Sequence, residues 1–120
     1  MASTRETGTA AEGLAQKYII GLGYEILETN WRCRHLELDI IAKDNDQLVI
    51  IEVKSRNGFR YEHPSEAVTN QKIKYVINAA EAYILKNKLD IDTRFDIITV
   101  IFSDQNYELE HFIDAFYPTI

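Results

Sequence analysis

Residues 36–56 read Leu36-Glu37-Leu38-Asp39-Ile40-Ile41-Ala42-Lys43-Asp44-Asn45-Asp46-Gln47-Leu48-Val49-Ile50-Ile51-Glu52-Val53-Lys54-Ser55-Arg56. Two runs rich in β-branched residues flank the polar triplet Asp44-Asn45-Asp46, which predicts strands over 36–42 and 47–55 joined by a hairpin. Strand side chains alternate faces, so Glu37 and Asp39 are expected on one face of the first strand and Glu52 and Lys54 on one face of the second. Leu38 and Ile40, together with Val49, Ile51 and Val53, are expected on the opposite, buried face. The hairpin sets Asp39 beside the strand that carries Glu52, and its register decides whether the two carboxylates converge. Two acids and a lysine opposite an apolar surface require solvent, a paired ion network, or a metal ion with a charged substrate.

Upstream, Ser3 and Glu6 fit a capping box, and Ala11, Leu14, Ala15, Tyr18, Ile19 and Leu22 form the apolar stripe of a helix over 4–21. Glu12, in its middle, can reach toward the sheet. Gly21 and Gly23 provide the exit, and residues 24–29 read as a strand. Downstream, Gly58 interrupts the strand pattern and Pro64 opens a helix running to Lys86, with Val68, Ile73, Val76, Ile77, Ala80 and Ile84 inside. Residues 94–101 read as a strand, Ser103-Asp104-Gln105-Asn106 as a turn, and a last strand runs through Phe112. The order αβββαββ, with its long helix as a crossover between parallel strands, predicts an α/β fold: one domain over 1–120 with a single mixed β-sheet flanked by helices.

Thirteen basic against nineteen acidic residues, a net charge of −6, disfavour a protein that holds nucleic acid through a broad positive field. A nuclease remains compatible, because metal ions neutralise active-site carboxylates and a few local cations suffice to touch phosphate. Arg32, Arg34, Arg56 and Arg60, with Lys72 and Lys74 further along, are candidates for such contacts, with solvated surface charge as the competing account. The one cysteine, Cys33, excludes an internal disulfide and reads as a small core residue; with His35 alone beside it, it defines no zinc site. No apolar run approaches the roughly 20 residues of a membrane span, and residues 1–6 lack a secretory pattern, so a cytoplasmic location without membrane attachment is expected.

Asp39 and Glu52 are the candidate metal ligands, and hard oxygen donors suit Mg2+ or Mn2+. Such a cation polarises a phosphoryl oxygen or lowers the pKa of bound water. Lys54 would stabilise charge developing at phosphorus, and Glu12 would orient a water from the helix. A salt-bridged strand pair accounts for the same residues without chemistry.

The stretches Gly8-Thr9-Ala10-Ala11-Glu12-Gly13-Leu14-Ala15, Asn30-Trp31-Arg32-Cys33-Arg34, Glu37-Leu38-Asp39-Ile40-Ile41, Glu52-Val53-Lys54-Ser55-Arg56 and Arg94-Phe95-Asp96 together resemble the bacterial YraN-like family. That family is similar in turn to archaeal Holliday-junction resolvases and the restriction-endonuclease-like nuclease fold. The resemblance implies catalytic positions at Glu12, Asp39, Glu52 and Lys54, with Glu37 as an acidic neighbour, and a possible homodimer acting on branched or flapped DNA. Leu36 departs from the small glycine usual before the acidic pair. Gln71 and Tyr75, four positions apart on one helical face, look like the Gln-to-Tyr motif of related nucleases; packing of the Tyr75 ring on the sheet is the alternative.

Asp96 interrupts an apolar strand and reads more readily as a structural carboxylate, bonded to Arg94 or a turn amide, than as a third ligand. His63 and His111 are expected to be satisfied surface or edge histidines, and Phe59 and Tyr61 either touch bases or pack on the second helix. The expected function is metal-dependent cleavage of phosphodiester bonds in structured DNA. The other class is a noncatalytic nucleic-acid-binding or repair adaptor whose carboxylates only order the strands.

Overall fold

A computed structural model describes residues 4–57 and 68–118. Its elements are α1 (Thr4–Gly21), β1 (Glu25–Cys33), β2 (Leu36–Asp44), β3 (Gln47–Asn57), α2 (Asn70–Lys86), β4 (Asp92–Ser103) and β5 (Asn106–Phe116). The predicted order is the observed one. The five strands form a single mixed sheet in chain order, in which β3 and β4 are parallel and every other pair is antiparallel. Helix α2 is the crossover that the parallel pair demands. Among the described residues, no helix is long and apolar enough to cross a membrane.

The sheet is covered on both faces. Val76, Ala79, Ala80 and Tyr83 of α2 pack on Leu38, Ile41, Leu48, Ile50, Phe95 and Ile97. Ala11, Ala15 and Ile19 of α1 pack on Ile40, Ala42, Val49, Ile51, Ile98 and Val100. The small alanines let each helix approach the strands, and each large aliphatic removed from water contributes about 1.5 to 3 kcal/mol. Double coverage explains why β3 reads as a continuous apolar run from Leu48 to Ile51, all buried, in place of an alternating one.

This arrangement corrects the expected division of faces. The face that carries Glu52 also carries buried Leu48 and Ile50, so it is a core surface that turns polar only near the end of β3. Leu38 and Ile40 lie on opposite faces, because alternation breaks at Asp39. There the β2–β3 backbone pairing, which runs from Asp44↔Gln47 to Ile40↔Ile51, stops. Across on β1, Asn30 has a left-handed backbone (φ 50°).

The three two-residue hairpins each begin at a left-handed residue: Arg34 (φ 58°), Asn45 (φ 54°) and Asp104 (φ 47°). That conformation turns the chain within the right-handed twist of the flanking strands. Several strands are longer than predicted; β1 runs to Cys33 and β5 to Phe116. The crossover helix begins at Asn70 and not near Pro64, because Thr69 is extended (φ −75°, ψ 161°) and its hydroxyl accepts the Lys72 amide at 3.2 Å as an N-cap. Ser3, Gly58 and Pro64 lie outside the described residues. Thr69→Ala is expected to lower stability by about 1 kcal/mol in a urea titration, since the capping acceptor is lost.

Candidate functional site

Where the β2–β3 pairing ends, side chains replace backbone partners. The Asp39 amide donates to Glu52 Oε2 at 3.4 Å, and the Val53 amide donates to Asp39 Oδ2 at 2.9 Å. Each acid therefore holds the strand that carries the other, and the clasp fixes both carboxylates where the sheet leaves the core. Glu52 is only 1% exposed, and its Oε1 accepts no hydrogen bond. Lys72 Nζ, from the first turn of α2, lies 3.3 Å from that oxygen as an ion pair.

The electrostatics follow from crowding acids at a dry place. Burial, then the Asp39 charge, pushes the Glu52 carboxyl up to about 7 despite Lys72. Asp39 is also raised by burial and by Glu37; the Val53 amide, Lys72 and Lys54 act against the rise. Glu12 reaches the cluster from α1, where burial and Asp39 raise its carboxyl and a hydrogen bond with Asn30 opposes them. The Lys72 ammonium is pulled down by burial, but Glu52, Asp39 and Glu37 outweigh that and leave it raised.

Glu12, Glu37, Asp39, Glu52, Lys54 and Lys72 thus share one electrostatic neighbourhood, contributed by α1, β2, β3 and α2. Arg32 meets its rim, largely exposed, 3.6 Å from Glu37 across the β1–β2 pair. Arg34 is exposed at the β1–β2 turn and Arg56 near the end of β3, whereas Arg60 lies outside the described residues. Gln71 donates to the Tyr75 hydroxyl at 3.0 Å on the exposed side of α2, and the Tyr75 ring meets His35 edge-on at 6.3 Å. Tyr75 is therefore tied to the turn region and does not cover the sheet.

Two participants escaped the sequence reading. Asn30 touches Glu12 from a backbone conformation that strand propensity gives no reason to expect. Lys72, expected as a phosphate contact, pairs with Glu52, a role the sequence reading did not give it. The only sequence signal for it was an acid following four buried apolar residues, which needs a counter-charge from somewhere.

Asp96 lies apart from this cluster, on the α1 face, and is wholly structural in its contacts. It accepts from Arg94 at 2.9 and 3.0 Å and from the Asp114 amide at 2.9 Å, with His111 Nε2 at 2.7 Å. Arg94 continues to the Tyr24 hydroxyl at 2.7 Å, Gln47 at 3.2 Å and Asp44 at 3.3 Å. Tyr18 caps His111 Nδ1 at 3.2 Å, so His111 is the satisfied edge-strand histidine that was expected, with its side chain buried. Cys33 is half-buried at the end of the edge strand β1 and not in the core. His63, Phe59 and Tyr61 lie outside the described residues.

Among the described residues, no three histidine, cysteine or acidic side chains converge as a self-sufficient metal cage. Mg2+ does not need one: it retains several waters and is held by one or two carboxylates plus substrate phosphate. Two hard carboxylates, one of them offering a buried oxygen without a hydrogen bond, fit that demand.

A family model described as "Uncharacterised protein family UPF0102" matches residues 11–100. The chain is 42% identical to a UPF0102 protein of Phocaeicola vulgatus and 44% identical to one of Bacteroides thetaiotaomicron, each across 100% of this chain and 99% of the relative. A UPF0102 protein of Flavobacterium psychrophilum is 40% identical over 98% of both chains.

Proposed function

The chain belongs to the uncharacterised protein family UPF0102, and from its clasped carboxylates we propose that it is a cytoplasmic, divalent-metal-dependent endonuclease acting on structured DNA. The observation that carries this reading is the reciprocal clasp of Asp39 and Glu52, which keeps two like charges together at a buried edge. Burial raises both carboxyls, and the Asp39 charge adds to the rise at Glu52, a cost that a metal centre explains and a purely structural pair does not require. The resemblance of Glu37-Leu38-Asp39 and Glu52-Val53-Lys54 to the nuclease motif points the same way.

Asp39 and Glu52 would hold Mg2+ or Mn2+, which when bound supplies Lewis acidity toward a phosphoryl oxygen and an acidified water. Lys54, on the same neighbourhood as Asp39, places a positive charge where negative charge grows on the reacting phosphate. Glu12, whose carboxyl is raised by burial against the opposing Asn30 hydrogen bond, would orient a water. Arg32 and Arg34, at the β1–β2 turn, and Arg56, near the end of β3, would contact phosphates of a DNA backbone. A homodimer would present two such sites to opposing strands. The adaptor reading draws on the Lys72–Glu52 pair, which neutralises the buried acid without any metal.

The test is cleavage of linear, flap, nicked and four-way DNA in Mg2+ or Mn2+ by the parent, Glu52→Ala and Lys54→Ala. The expected result is metal-dependent product from the parent, with a loss of about 10²-fold or more in each folded variant. A parent that binds these DNAs and cuts none is the adaptor.

A further inference from the structure

We propose that Lys72 is a built-in counter-cation, occupying beside Glu52 the charge position that a divalent metal takes, and displaced by that metal toward the substrate phosphate. The inference rests on the metal-site reading above and adds an exchange to it. Nζ stands 3.3 Å from Glu52 Oε1, the oxygen that the clasp leaves unused. That contact is an ion pair from a partly exposed side chain, whereas the backbone bonds of the clasp go to Glu52 Oε2 and Asp39 Oδ2.

The position of Lys72 is otherwise unfavourable. A cation in the first turn opposes the helix dipole, yet the Thr69 cap fixes the Lys72 amide in that turn, and no acidic residue of α2 shares it. The carboxylates of β2 and β3 are what reward the placement. The side chain is 36% exposed, so its flexible stem has a way out to solvent and to an arriving phosphate. An ammonium and a divalent cation on the same carboxylate would repel, so occupancy by one favours release of the other.

The experiment is a calorimetric Mn2+ titration at pH 8 of metal-stripped parent, Lys72→Met, Lys72→Gln and Glu52→Gln. The parent is expected to bind, Glu52→Gln to lose most binding, and both Lys72 variants to bind roughly ten-fold tighter. The ion carries two charges and a competing proton one, so removal of the neighbouring ammonium favours the ion in the exchange. The metal-free Lys72 variants are also expected to melt below the parent and to regain the difference in saturating Mn2+. Lys72 variants that bind Mn2+ like the parent, or more weakly, overturn the counter-cation and leave the metal centre standing. A parent that binds no Mn2+ overturns the metal centre beneath it.

Discussion

Asp39→Asn is expected to lower metal-dependent cleavage by on the order of 10³-fold while raising the stability of the metal-free protein. The asparagine carbonyl can still accept the Val53 amide, so the clasp survives and only the charge is lost. Glu52 and Asp39 both titrate above their ordinary range in the folded chain. An acid whose folded pKa is raised ionises first in the unfolded state, so the parent loses stability as pH climbs from about 4.5 toward about 7. Above that window, in a metal chelator, the asparagine variant should exceed the parent by about 1 kcal/mol, read from urea titrations at pH 8. Unchanged cleavage would remove Asp39 from the chemistry; a loss of metal-free stability would mark it as one arm of a structural ion pair.

The second large effect belongs to Asp96. Asp96→Ala leaves the Arg94 guanidinium, His111 and the Asp114 amide without their common acceptor in a buried place. Breaking a buried pair in this way costs about 3 to 5 kcal/mol, a large share of the roughly 5 to 15 kcal/mol that a domain possesses. Burial raises the Asp96 carboxyl, but His111, Arg94 and the Asp114 amide outweigh it and hold it below the ordinary value of 3.8. Its stabilisation is therefore complete above the unfolded pKa and is lost as pH falls through the lower, folded one. Equilibrium unfolding from pH 7 down to pH 3 should show a steep acid limb in the parent that flattens in Asp96→Ala. An acid limb of equal slope in both would assign the acid sensitivity to other carboxylates.

The contrast between the two clusters shows what the amino-acid order makes legible. Asp39 and Glu52 were readable because the Asp44-Asn45-Asp46 turn pins Asp44 against Gln47, and simple counting then carries the register to Ile40 and Ile51. The counting fails one residue later. Leu38 changes face through the break at Asp39, opposite left-handed Asn30, a tertiary adjustment with no periodic signature. Lys72 was out of reach for a related reason: its distance from Glu52 depends on how α2 settles over the sheet, and hydrophobic spacing fixes the buried face of a helix but not its axial position. The Asp96 network draws Tyr18, Tyr24, Asp44, Gln47 and His111 from separate elements, so only the direct bond to Arg94, two positions away, was visible locally.

The topology also orders events in time. The β2–β3 hairpin is a local structure that closes through a two-residue turn, on a scale of about 1 to 10 μs. The parallel pairing of β3 with β4 requires the chain from Asn57 to Asp92 to be looped back first, so it is among the slow contacts. Asp39 and Glu52 consequently meet early, on the hairpin, while Lys72 arrives with the crossover. Burial of the two acids comes only when the crossover helix docks, so the ionic composition of the refolding buffer is expected to act on that late step and not on the hairpin.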